Sequence, residues 1–198
     1  MRITAIKQQV KDANRASIFV DGKYCFSLTL DQLIEEKLKN GLELNGSEVT
    51  SLKKKSADGK LRNRVIEWLS IRPRSEKELR LYLLKKTVES DHAEKLIEDM
   101  GNKKYFSDET FGRWYAGVMA RSLKSSKEMS YSLSQKGLKS HLITELLSEY
   151  RDSEVERLKS IIEKKRHVSR FKDNDKLMAY LVRKGYSFSE VKEALAEG

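Results

Sequence analysis

The feature that most constrains this chain is an internal repeat with a period of about fifty residues, the mark of tandem supersecondary units that stack on one another. Leu79, Leu83 and Lys86 align with Met129, Leu133 and Lys136 at a shift of 50, and that set aligns with Leu177, Leu181 and Lys184 at a shift of 48. The register continues: Ala93, Leu96 and Ile97 fall opposite Ile143, Leu146 and Leu147, then opposite Val191, Ala194 and Leu195. Lys136-Gly137 and Lys184-Gly185 occupy one slot, where glycine closes a helix in a left-handed cap. The first copy has Lys86-Thr87 there.

Apolar spacing and capping residues define the elements. Ser75, Ser125, Ser153 and Ser187, each followed three residues on by glutamate, predict helix starts with reciprocal capping boxes. With first helices expected at 62–70, 108–123 and 154–165, every copy becomes three short helices with its own nucleus. Trp68, Leu69, Phe111, Tyr115, Val118, Leu158 and Ile162 are the expected contributors to those nuclei.

The segment before the repeats reads differently. Residues 18–20 and 24–28 around Asp21-Gly22 predict a type I′ β-hairpin, to which 3–10 adds a candidate third strand. A helix is expected from Thr29 as N-cap to a stop at Asn40-Gly41, and Ser47 opens a second. The polar run 53–59 reads as a linker. The resulting organisation is mainly α: an N-terminal β-hairpin and helix unit (1–52), then repeats at 60–107, 108–150 and 151–198, stacked into an elongated, curved body. Such a surface suits a polymer better than a small molecule.

Composition narrows the function. Forty Lys and Arg against thirty Asp and Glu leave a formal charge of +10, which favours polyanionic partners. No apolar run reaches the roughly 18 residues of a membrane span and no secretory leader follows Met1. Cys25 is the only cysteine, which points to a reducing, cytoplasmic setting, and it reads as packed. No phosphate-binding glycine loop occurs, so nucleotide hydrolysis is not expected. His92, His141 and His167 are scattered, so neither a metal nor another cofactor is expected. The acid pairs Asp108-Glu109 and Asp173/Asp175 stand at helix starts, where the helix dipole accounts for them without catalysis.

The positive signal is basic and recurs in every copy. Lys53 to Lys55, Lys60, Arg62 and Arg64 flank the linker, Arg72 and Arg74 precede the second helix of the first repeat, and Lys103 and Lys104 close that repeat. Arg113, Arg121, Lys124 and Lys127 surround the first helix of the second, while Lys164, Lys165, Arg166, Arg170 and Lys172 form the densest run, in the third. Stacked repeats would line these up as a stripe touching phosphates, with little sequence selectivity. Tyr105, Phe106, Trp114, Tyr115 and Phe171 lie among them as candidate base-stacking residues, with core packing as the plainer reading.

Four segments carry a family resemblance: Ser75-x-x-Glu78-Leu79-x-x-x-Leu83, Phe106-Ser107-Asp108-x-x-Phe111-x-x-x-Tyr115, Leu133-x-x-Lys136-Gly137-Leu138 and Leu181-x-x-Lys184-Gly185-Tyr186. In this order they resemble the RecX regulatory proteins from about residue 60 to the end, and the segment around Asp21-Gly22 is similar to the leader of that family. The resemblance implies a non-enzymatic modulator of the RecA recombinase that binds RecA and its filament on single- or double-stranded DNA. It implies inhibition of ATP hydrolysis, strand exchange and filament growth, within recombination, DNA repair and the SOS response. Thr87, in place of glycine, and Gly112, where the family usually has alanine, depart from the pattern. An independent DNA-binding module acting on naked duplex is the alternative, and a monomer is the simpler expectation.

Overall fold

The computed structural model describes residues 1–10 and 12–196, which fall into two compact units, 1–68 and 69–198. In the first unit, strands β1 (Ile3–Gln8), β2 (Arg15–Val20) and β3 (Lys23–Thr29) form an antiparallel sheet in sequence order. The β2–β3 turn takes the positive φ values expected of Asp21 and Gly22, 48° and 81°. The candidate third strand is present but ends at Gln8, and it pairs with β2 from Ile3 opposite Val20 to Gln8 opposite Ala16. One face of the sheet presents Ile3, Ile18, Val20, Phe26 and Leu28 to Leu38, Leu44, Val49 and Leu52, and Cys25 packs half-buried against that core.

Helix α1 (Leu30–Glu35) starts as expected, with a reciprocal capping box between Thr29 and Gln32. It stops before Asn40-Gly41, because Lys37 adopts φ 52° and the chain turns to bury Leu38.

The expected linker is helical. Helix α2 runs unbroken from Gly46 to Ser70, through 53–59, and is capped by Asn45 rather than opened by Ser47. Asn45 Oδ1 accepts from the Glu48 amide (2.9 Å) while the Glu48 carboxylate accepts from the Asn45 amide (2.7 Å). Within 53–59, Ser56 and Lys55 are held by the sheet and α1, while Lys53 and Lys54 stay exposed on the helix. Ser56 is buried, donates to the Ser27 carbonyl (2.7 Å) and accepts from the Ser27 amide (3.3 Å), and Arg15 also donates to that carbonyl (2.8 Å). Lys55 pairs with Glu35 at 2.8 Å and Glu36 at 2.5 Å. A buried polar group with partners costs little, so polarity here marks contact and not a solvated connection.

In the second unit, α3 (Glu76–Lys85) and α4 (Ser90–Asn102) bury Leu79, Leu83, Leu96, Ile97 and Met100. Helices α5 (Asp108–Arg121), α6 (Ser126–Gln135) and α7 (Ser140–Ser148) close around Phe111, Met119, Met129, Leu133, Ile143 and Leu146. Helices α8 (Glu154–Arg166), α9 (Asn174–Arg183) and α10 (Phe188–Ala196) do the same around Leu158, Ile162, Leu177, Leu181, Tyr186, Val191 and Leu195. Each such buried side chain contributes roughly 1.5–3 kcal/mol of transfer free energy. Of the expected core residues, Phe111 and Leu158 are fully buried, whereas Trp68, Tyr115 and Val118 are only half-buried.

The alignment of the repeats is visible in the backbone. Helices α3, α6 and α9 end in the same Schellman motif, with Val88, Leu138 and Tyr186 donating to Leu83, Leu133 and Leu181 at 3.3 Å each. The left-handed residue is Thr87 (φ 54°) in the first copy and Gly137 and Gly185 (both φ 92°) in the others.

Candidate functional site: the basic surface and the repeat junctions

Neighbouring repeats join through one recurring link. Ser75, the N-cap of α3, accepts from the Glu78 amide and donates its own proton to the Lys136 carbonyl at the end of α6 (2.8 Å). Ser125, the N-cap of α6, accepts from the Glu128 amide and donates to the Lys184 carbonyl at the end of α9 (2.7 Å). An acid from the following repeat completes each link: Asp108 accepts from the Glu76 amide, and Glu154 from the Ser126 amide, both at 2.8 Å. The positive end of one helix thus meets the negative end of the next. Burial raises the Asp108 carboxyl above its ordinary value, although the bond from the Glu76 amide pulls the other way. Asp108 therefore serves a neighbouring helix start besides its own.

This link explains the glycine slot and its exception. A Cβ on Gly137 would lie 2.8 Å from Lys77 Cβ, and one on Gly185 would lie 2.6 Å from Ser125 Oγ, because each turn receives the N-terminus of the preceding repeat's helix. Thr87 is the first in the series of these turns and is exposed, so a side chain fits. Gly112 is also a packing requirement: its Cβ would fall 2.8 Å from Leu138 Cδ2 and closer still to Leu146 Cδ1.

The capping boxes are only partly as expected. Ser75, Ser125 and Ser187 cap their helices, but Glu78 and Glu128 turn to cations. Glu78 takes Arg72 (2.9 Å) and Lys136 (2.8 Å); burial raises its pKa, and these two bonds outweigh that and hold it below the ordinary 4.5. Ser153 makes no cap bond; its hydroxyl donates to the Tyr150 carbonyl and accepts from Arg157 (2.6 Å). Arg157, 5% exposed, also reaches the Lys124 and Tyr150 carbonyls, both at 3.1 Å. Beside it Tyr186 donates to the Leu123 carbonyl (3.1 Å), and burial pushes its phenol up to about 12.

The fifteen candidate cations from Arg62 to Lys172 divide accordingly. Arg72 lies over Trp114 and pairs with Glu78; Lys103 pairs with Asp99, Arg113 with Glu109 and Glu149, and Lys124 with Glu128. Burial and Arg72 lower the Arg74 pKa, and Arg62 has interactions of its own. Lys165 lies 5.9 and 5.4 Å from the ring centres of Phe171 and Tyr180, and Arg170 sits 5.8 Å from that of Phe171. Arg64, Lys104, Arg121, Lys127, Lys164, Arg166 and Lys172 make no ion pair among the described residues. Unneutralised charge is therefore densest in the third repeat, whereas in the first two Lys103, Arg113 and Lys124 are paired within their own repeats and Arg72 belongs to the first junction.

Trp114, Tyr115 and Phe171 pack half-buried against repeat cores, which favours the plainer reading of these aromatics over base stacking, and Tyr105 stays exposed. Among the described residues no group of three or more His, Cys, Asp or Glu could hold a metal, and no helix is long and apolar enough to cross a membrane.

Comparison with known proteins decides the family. Profiles described as the RecX N-terminal domain, first three-helix domain and third three-helix domain match residues 1–45, 62–100 and 152–195. The regulatory protein RecX of Bacillus pumilus is 30% identical over 98% of this chain and 76% of its own length, and that of Listeria monocytogenes serotype 4b (strain F2365) is 30% identical over 100% and 76%. This chain belongs to the RecX family. RecX crystal structures share its fold: one superposes with a TM-score of 0.74 at 22% identity, covering 98% of both chains. RecX from Lactobacillus salivarius gives 0.61 at 23% identity, over 71% of this chain and 95% of its own. The family is one of non-enzymatic regulatory proteins, and the fold is mainly α.

Proposed function

We propose that this RecX-family chain binds the RecA recombinase and its filament on DNA in the bacterial cytoplasm and restrains ATP hydrolysis, strand exchange and filament growth. Family membership over the full length is the observation that carries this reading. The exposed cations Lys104, Lys127, Lys164 and Lys172 supply its physical basis, since each phosphate neutralised on duplex DNA adds about 0.9 to the logarithmic salt slope. We assign the N-terminal unit and the three repeats, 60–107, 108–150 and 151–198, as separate contact modules, so that weak contacts along a filament add through effective concentration.

The test is DNA-dependent ATPase and strand exchange by the cognate recombinase, with co-sedimentation of filaments at two salt concentrations. Inhibition is expected at or below stoichiometric protein. The quadruple reversal of Lys104, Lys127, Lys164 and Lys172 to glutamate should weaken co-sedimentation and flatten its salt dependence. No effect of stoichiometric wild type on either activity refutes the reading. A footprint on naked duplex that recombinase leaves undisturbed would favour the independent DNA-binding module instead.

A further inference from the structure

The third repeat carries a groove beside α9 and the start of α10. Met178, Ala179 and Val182 of α9 and Phe188 at the start of α10 form an apolar floor, edged by Arg170, Lys176 and Arg183 with Asp175 among them. Val182 is 39% exposed and Phe188 59%. The repeat register provides an internal control: at the shift of 48, Met178, Val182 and Phe188 fall opposite Ser130, Ser134 and Ser140. Met178 packs against the third repeat's core, but Val182 and Phe188 lie outside that core and exposed, and the second repeat carries serine at both equivalent positions, so the helix pair does not require them to be apolar. Holding a Val and a Phe in water forgoes transfer free energy that burial against a partner would return.

The rim indicates what covers the floor. Arg170 and Arg183 make no ion pair among the described residues, and Lys176 shares Asp173 at 3.2 Å. The edge is therefore cationic around an aliphatic and thioether bed, which complements a segment with carboxylates flanking large apolar side chains. A nucleic-acid strand fits less well, because the floor is aliphatic and offers one aromatic ring instead of a series on which bases could stack. We propose that the α9–α10 groove is a docking site for an acidic amphipathic segment of a protein partner, with Phe188 and Val182 as the apolar anchors and Arg170 and Arg183 as its charge clamp.

This inference does not depend on the recombinase reading, because it is tested on the full chain alone. The probe is a fluorescein-labelled peptide of about twelve residues, glutamates flanking one Trp and two Leu on a single helical face, followed by anisotropy at low salt. The serine double variant V182S/F188S copies the second repeat at the two exposed positions and is checked for an unchanged circular dichroism melt. It should bind the peptide about tenfold or more weakly than wild type. R170E/R183E should lose binding and its salt dependence together. A fluorescein-labelled oligothymidylate should bind both wild type and the serine variant equally. Three results overturn the proposal: no peptide binding to wild type, equal peptide binding by the serine variant, or a matching loss of oligothymidylate binding in that variant. ATPase inhibition by the serine variant reports separately on the proposed function.

Discussion

The two repeat junctions use the same link and reinforce it in opposite ways. Between the first and second repeats the addition is an ionic cluster, Glu78 with Arg72 and Lys136, flanked by Trp114 and Tyr115. Between the second and third it is a buried guanidinium, Arg157, which donates to backbone carbonyls and to Ser153, with the Tyr186 hydroxyl beside it. The shared serine link fixes register. The additions set how each junction responds to its surroundings: partly exposed ions are open to salt and acid, whereas hydrogen bonds in a dry site fail only when a partner is lost.

The largest break in that comparison should come from Arg157→Met, which keeps the volume but strips the Lys124 and Tyr150 carbonyls of a buried donor. A loss of about 3 kcal/mol in urea unfolding is expected, with hydrogen exchange rising at the second junction first. A loss below about 1 kcal/mol would show that water replaces the guanidinium there.

Glycine replacement sharpens the role of the shared link. Gly185→Ala combines a left-handed φ with an approach to Ser125 Oγ, so about 2 kcal/mol should be lost, and Gly137→Ala should behave alike. Thr87→Gly, at the turn whose own side chain fits, should shift stability by less than about 1 kcal/mol. Equal effects at all three turns would refute the idea that the preceding repeat imposes the glycine.

The smallest effect separates the junctions by pH. Because Glu78 ionises below its ordinary 4.5 in the folded chain, its contribution is present above that value and is lost as pH falls through the lower, folded value. Glu78→Gln should cost about 1 kcal/mol at neutral pH, after discounting for the partial exposure of Arg72 and Lys136, and should flatten the acid limb of the stability curve. An acid limb identical to wild type would move the acid sensitivity elsewhere.

The legible parts of this fold were those fixed by local chemistry repeated in register. The hairpin at Asp21-Gly22, the serine caps at 75, 125 and 187 and the glycine turns at 137 and 185 each follow from a backbone geometry that few residues satisfy. The continuity of α2 was not legible, because Lys-Lys-Lys-Ser-Ala-Asp-Gly looks solvated until Ser27 and the acids Glu35 and Glu36 are brought against it. The basic surface was readable as charge but not as pairing. Arg113 and Lys164 look equivalent in composition, yet only the first meets carboxylates among the described residues, from Glu109 on its own helix and Glu149 on α7. Arg157 went unread because a buried arginine looks like any other until the carbonyls around it are placed.

The link between repeats has a direction, since a serine proton passes from each helix start to the end of the helix that follows. At the start of α9 the capping residue is Asp173, whose carboxylate, bound by Lys176 and two amides, is held ionised below its ordinary value and has no hydrogen to give. A further unit could not be spliced on there by the same joint. An engineer extending the array would first have to restore a hydroxyl at position 173 and then supply a glycine turn to receive it.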